Sequence, residues 1–225
     1  MSGVKVCLVV MLTKLEEETE SGKKRPKADQ YWPEVDQENF LFPNSDLRVE
    51  QLPHRRHDCG SYLHRKFLLT RGGQSQTSGT IVHQVQCTAW PDHSVPDSPH
   101  LLLELVREAD VLSPHTSSPV LVHCSAGVGR MGTFIAVHKL MRDIERQKHG
   151  TFLEVGRTVI EMRKCRMKMV QTAAQYVYIY KCLQQLYNDM EEDEEEDEDE
   201  GDYYGGGEYY SYNNSYYEND DIGRV

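Results

Sequence analysis

The feature that most constrains this chain is one stretch near its middle, Val120 to Gly132, which reads Val-Leu-Val-His-Cys-Ser-Ala-Gly-Val-Gly-Arg-Met-Gly. Its apolar, β-branched start reads as a buried strand, its paired glycines as a tight turn, and the residues after Arg130 as a helix. Five residues separate Cys124 from Arg130. Wrapped around a tetrahedral oxyanion, that spacing turns the intervening N–H groups inward, and Gly127 and Gly129 remove the steric penalty of doing so. The helix beginning near Arg130 adds the positive end of its dipole. Such dipoles stabilise a cysteine as its nucleophilic thiolate. Arg130 offers a planar fork to two oxygens of a bound anion. Cys124 is therefore the candidate nucleophile, and Ser125, Ala126, Gly127, Val128, Gly129 and Arg130 the candidate anion site. A buried structural cysteine beside an ordinary turn is the plainer alternative, but it leaves the arginine, the glycines and the strand–turn–helix context as separate coincidences. A nucleotide-binding loop is excluded because no Gly-Lys-Ser/Thr follows the glycines.

The rest of the chain is organised around that stretch. Its 225 residues make one domain with room for a tail. No run is apolar for the roughly 18 residues that a membrane span needs. The short run Val6 to Leu12 reads as strand rather than secretory signal, since Thr13-Lys14-Leu15-Glu16 offers no small-residue cleavage site. Six scattered cysteines without a Cys-x-x-Cys pair indicate reduced thiols, with no zinc knuckle, no metal and no cofactor. The expected compartment is the cytoplasm. The basic cluster Lys23-Lys24-Arg25-Pro26-Lys27 keeps the nucleus as an alternative, although a solvated loop is the preferred reading.

Charge divides the chain sharply. Residues 191–225 hold 15 acidic residues against one arginine, a net of −14 within a total of −11, so residues 1–190 carry +3. A mildly basic body suits an anionic substrate but is too weakly charged to indicate nucleic acid. The run Glu191 to Glu200 and the Gly/Tyr/Asn/Ser pattern beyond it have almost nothing to bury and are expected to be disordered. Seven tyrosines stand there among acids, a composition that serves either as a modifiable segment or as a solvating polyanion.

Periodicity predicts a strand over Val4 to Thr13 and further strands over Tyr62 to Thr70, Thr80 to Thr88 and Pro119 to His123. Glu16 to Asp29 reads as a charged loop whose segment from Ser21 to Lys27 cannot pack. Trp90 to Pro99, with three prolines, is irregular. Apolar residues at helical spacing predict helices over His100 to Leu112, Gly129 or Arg130 to Arg146, Glu154 to Arg163 and Val170 to Tyr187.

From Val4 to Tyr187 the chain resembles the catalytic domain of the cysteine-dependent, tyrosine-specific protein phosphatases. Four blocks carry the resemblance: Tyr31-Trp32-Pro33-Glu34, Trp90-Pro91-Asp92-His93, the Cys124–Arg130 loop, and Arg163 to Tyr176. It implies an α/β fold with a twisted mixed sheet flanked by helices, lacking its N-terminal portion, and a disordered acidic tail from residue 191. It also implies hydrolysis of phosphotyrosine in signalling proteins through a cysteinyl-phosphate. Cys124 attacks phosphorus, Arg130 holds the phosphoryl oxygens, and Asp92 protonates the leaving tyrosine and then takes a proton from water. Gln171 positions that water with Gln175 as helper, and His123 tunes the thiolate from beneath. Trp90 anchors or hinges the Asp92 loop, Glu17 fixes Arg130, and Lys27 touches Asp92. The implied partners are tyrosine-phosphorylated proteins; no oligomeric state is indicated.

The pattern is broken in places. Arg130 is normally followed by Ser or Thr, whose hydroxyl helps the sulfur depart in the second step, whereas Met131 cannot donate. Ser94 stands where the acid loop usually has glycine. The family domain also normally begins well upstream, with elements that cover the sheet and a tyrosine that stacks on the substrate ring, so a sheet edge is expected to be exposed. Two further readings follow: a binding module that captures phosphotyrosine with little turnover, and a fragment acting through its acidic tail.

Overall fold

The computed structural model describes residues 6–18, 22–33, 40–41, 45–53, 60–72, 78–90, 94–113, 118–147 and 154–201. In chain order the elements are β1 (Leu8–Met11), β2 (Glu16–Glu18), β3 (Lys24–Pro26), β4 (Phe40–Leu41), β5 (Leu47–Leu52), β6 (Tyr62–Arg71) and β7 (Thr80–Cys87). There follow α1 (His100–Leu112), β8 (Val120–His123), α2 (Arg130–Gln147), α3 (Val155–Cys165) and α4 (Ala173–Gly201).

Six of these strands form one mixed sheet in the order β4-β5-β6-β7-β1-β8. The pairs β4–β5, β5–β6 and β6–β7 are antiparallel, whereas β1 runs parallel to both β7 and β8. A parallel centre needs cover on both faces, and β1 supplies the apolar side chains for it: Leu8, Val10 and Met11 are all fully buried. On one side Leu102, Leu105, Val106 and Ala109 of α1 are buried as their spacing dictates, and α1 packs on β1, β7 and α2. Another cluster joins Met11 to Trp32, Val49 and Phe67, with Leu15, Ala28 and Leu69 against it.

The register fixes where function can sit. Met11 aligns with Gln86 of β7 and with His123 of β8, so all three parallel strands reach their carboxyl ends together. The segments that leave this edge are Leu12 to Glu17, the Trp90 loop and the Cys124 loop, the arrangement in which open α/β sheets build ligand sites. No helix among the described residues is long and apolar enough to cross a membrane.

Several boundaries match the sequence expectations closely, and α1 spans His100–Leu112 as its spacing predicts. Three features do not match. The segment read as an unpacked loop is the β2–β3 hairpin, with Glu17 opposite Arg25 and with the Lys27 and Ala28 amides bonded to the Leu15 carbonyl. Leu15 and Ala28 then cover the Met11 cluster. Charge concealed this, because the hairpin's buried residue is itself a carboxylate. Strands β4 and β5 were also hidden, since β4 is only two residues long and the β5 sequence Leu-Arg-Val-Glu-Gln-Leu alternates only in part.

The third difference concerns the acidic run. Compact packing divides the chain into Met1–Tyr187 and Asn188–Val225. Across residues 191–201, expected to be disordered, the backbone is helical as the end of α4. A helix already nucleated extends at little cost through glutamates, which are good helix formers. Acidic side chains nevertheless repel one another at i,i+4 spacing and oppose the negative end of the helix dipole. Raising salt from about 10 mM to about 500 mM should therefore increase the helical circular-dichroism signal of the full chain. An unchanged or falling signal would show that repulsion does not limit this helix.

Candidate active site

Cys124 follows β8 directly, and the next five residues turn before α2 starts at Arg130. Gly127 makes the turn possible: it has a φ of 68°, a region costly for side-chain-bearing residues, and its N–H donates to Cys124 Sγ at 3.2 Å. Ser125 and Ala126 are exposed at the rim, Gly127 and Val128 are half-buried, and Gly129 and Arg130 lie deep.

Arg130 is held by groups from the other strand ends. Its Nη1 donates to Glu17 Oε1 at 2.5 Å and to the Leu12 carbonyl at 3.2 Å, and its Nη2 donates to Glu17 Oε2 at 3.0 Å. The paired side chains are only 8% and 7% exposed. Glu17 also accepts from Thr13 Oγ1 at 3.2 Å and lies 3.8 Å from Lys27 Nζ. The two-point fork thus fixes the plane of the guanidinium beneath the loop. Glu17 and Lys27, expected from the sequence near Arg130 and Asp92 respectively, are brought to one buried cluster with Arg130. Asp92 lies outside the described residues. Trp90, just before it, is buried; its Nε1 donates to the Ser94 carbonyl at 3.1 Å, tying the two ends of that short loop.

Gln171 and Gln175 reach the loop from the opposite side. A Cβ on Gly129 would stand 3.3 Å from Gln171 Oε1 and 2.9 Å from Gln175 Nε2. Gln175 has a further task. Its Oε1 accepts from the backbone N–H of Gln171 at 2.9 Å and of Thr172 at 3.3 Å, while Thr172 Oγ1 accepts from Gln175 N at 3.1 Å. This reciprocal cap opens α4 at Ala173, whereas apolar spacing starts the helix at Val170; the missed signal was Thr-x-x-Gln ahead of the helical run. The turn before it packs directly on α2: Val170 N donates to the Val128 carbonyl at 3.0 Å. At Gly132 any Cβ would meet Val170 N at 2.5 Å, so only glycine fits. Lys168 and Val170 have φ values of 65° and 58°. Such conformations cost about 1–3 kcal/mol each and persist only where the surroundings over-determine them.

Residues without an assigned role in the sequence complete the site. Arg65 Nη1 donates to Gln84 Oε1 at 3.0 Å and to Gln86 Oε1 at 2.8 Å. Gln84 Nε2 donates to Tyr31 OH at 2.9 Å, and Tyr31 OH lies 2.7 Å from His123 Nε2. His123 also bonds the Cys124 backbone. Two glutamines at alternate positions on a buried strand were the available signal, since buried amides need partners. Burial raises the pKa of the Tyr31 phenol, offset in part by Gln84 and Arg65, which keeps it a neutral donor. Burial holds His123 below the ordinary histidine value, partly opposed by its bond to the Cys124 backbone.

That depressed value has a sign. The unfolded chain takes up its histidine proton near pH 6.5, whereas folded His123 stays neutral to lower pH. Stability from this group is thus complete above pH 6.5 and is lost as pH falls through the folded value. The urea midpoint should drop more between about pH 7 and about pH 5 in the wild type than in His123→Gln. Equal drops would remove His123 from the pH response.

The fold and site together define an α/β protein with a cysteine–arginine loop at the carboxyl ends of parallel strands. The profile of the protein-tyrosine phosphatase family matches residues 3–185, and the chain belongs to that family. It is 35% identical over 188 residues to receptor-type tyrosine-protein phosphatase C of Homo sapiens, covering 84% of this chain and 13% of that protein. Similarity to tyrosine-protein phosphatase Lar of Drosophila melanogaster is 37% over 180 residues, 80% of this chain and 8% of the relative. For receptor-type tyrosine-protein phosphatase F of Bos taurus it is 39% over 176 residues, 78% and 8% respectively. The chain therefore spans only a small part of the length of these relatives.

Proposed function

We propose that this chain hydrolyses phosphotyrosine in proteins by a two-step route through a cysteinyl-phosphate. The Cys124 thiolate attacks phosphorus, the tyrosyl oxygen leaves, and Asp92 supplies the proton that the leaving oxygen takes up. Water, aligned by Gln171, then attacks the phosphocysteine and yields its proton to Asp92, and sulfur departs as thiolate with release of inorganic phosphate. Arg130 and the loop amides bind the oxygens whose charge develops in both steps. The observation that carries the reading is the buried Glu17–Arg130 fork. It pre-sets a guanidinium under a loop whose Gly127 amide already points at Cys124 Sγ. Tyrosine-phosphorylated proteins are the corresponding partners. A reducing cytoplasm is the matching compartment for the free thiols at Cys7, Cys87, Cys124, Cys165 and Cys182.

One observation favours weak turnover and with it a second reading, a phosphotyrosine-binding module. Met131 occupies the position after Arg130, and the nearby Thr133 hydroxyl is committed to the Gly129 carbonyl at 3.1 Å. One lost hydrogen bond to a charged acceptor is worth about 1.5–3 kcal/mol, or roughly 10- to 150-fold in rate.

Rapid mixing with a small aryl phosphate separates the readings. A burst stoichiometric with protein, followed by slow turnover, is expected. Folded protein showing neither burst nor turnover, yet binding a phosphotyrosine peptide, would establish the binding module instead. In Met131→Thr, steady turnover should rise by about 10-fold or more while the burst is unchanged. An unaltered turnover rate in that variant would count against Met131 as the cause of slow hydrolysis.

A further inference from the structure

We propose that Arg163 is a positioning residue for the second, hydrolytic step, acting by holding the strained turn from which Gln171 emerges. The inference rests on the two-step reading above. Arg163 lies in the last turn of α3, and its Nε donates to the Met169 carbonyl at 2.9 Å while Nη2 donates to the Val170 carbonyl at 2.8 Å. A planar guanidinium suits that task, because two donors in fixed relation set the direction of two successive peptide units.

Those peptide units belong to a turn with unfavourable backbone angles. Lys168 and Val170 are both left-handed, at φ 65° and 58°, and neither is glycine. A β-branched residue is especially unsuited to that region. Arg163 fastens the turn from the α3 side, and the Val170 N–H to Val128 carbonyl bond fastens it from the anion-loop side. Gln171 is the next residue, with its N–H capped by Gln175 and its side chain beside Gly129. The angle at which the chain leaves Val170 therefore sets where the Gln171 amide lies.

The bonds that hold the Cys124 sulfur and the Arg130 guanidinium to Gly127, Leu12 and Glu17 do not pass through Arg163. Loss of Arg163 consequently releases the water-aligning amide and leaves the attacking sulfur and its guanidinium in place. Because hydrolysis of the phosphocysteine limits turnover in the reading above, the kinetic signature is specific. Slowing only that step lowers kcat and KM by the same factor and leaves kcat/KM, which reports the first step, unaltered.

The experiment compares wild type, Arg163→Ala and Arg163→Lys by burst and steady-state kinetics with an aryl phosphate, each after a urea transition confirms folding. In Arg163→Ala the burst should keep its amplitude and rate, while kcat and KM fall together by about 10- to 100-fold, the scale of a small misplacement. Arg163→Lys, with one donor centre in place of a fork, should lie between. Lys168→Gly removes one strained side chain, so adding Arg163→Ala to it should lower kcat by a smaller factor than in the wild type. A fall in kcat/KM alongside kcat would place Arg163 on the substrate or the first step and overturn the proposal, as would wild-type turnover in Arg163→Ala. Folded wild type that shows neither burst nor turnover would instead remove the two-step reading, a result distinct from either.

Discussion

The site depends on one buried ion pair, the two-point fork between Glu17 and Arg130. A guanidinium and a carboxylate removed from water each lose several kcal/mol of hydration, which their attraction repays only when geometry is good and spare hydrogen-bonding groups are used. Both conditions hold here. Thr13 donates to the same carboxylate, the Leu12 carbonyl takes a third guanidinium bond, and Lys27 lies close enough to share the charge. The plane of the guanidinium is thereby set by protein groups alone, so in the proposed reaction the anion does not have to order it.

That pair also explains why the β2–β3 hairpin exists. Its strands are short and charged, and two such strands alone are not stable in water. They are held because Glu17 must meet Arg130, because Leu15 and Ala28 cover the Met11 cluster, and because the Leu15 carbonyl accepts the amides beyond β3. The opposite wall is organised differently. There the Gln171 turn stores backbone strain at Lys168 and Val170, and the close approach at Gly132 leaves no room for it to relax toward α2. One wall of the loop is thus fixed by charge and the other by backbone geometry.

Behind the loop, a polar chain runs from Arg65 of β6 through Gln84 of β7 and Tyr31 to His123 at the end of β8. Arg65 and Gln84 stand opposite each other in the β6–β7 pairing, and Tyr31, which lies outside the strands, bridges Gln84 to His123. It ends at His123, the residue that precedes Cys124.

Local features of the chain were sufficient for the elements whose information is local. The strand, turn and helix around Cys124 and the limits of α1 follow from apolar spacing, glycine placement and short-range side-chain chemistry, which act over a few residues. Resemblance to the phosphatase family added Glu17, Lys27 and Gln171 as companions of the loop. What only tertiary structure decided is how distant groups satisfy one another. Glu17 and Arg130 are 113 positions apart, and a carboxylate in a charged segment looks solvated until the partner that makes its burial tolerable is brought to it. The same holds for the glutamines of β7, the left-handed turn before Gln171, and the guanidinium of Arg163. Burial of a polar group is settled by its partners, and partners far apart in sequence meet only when the sheet registers are complete.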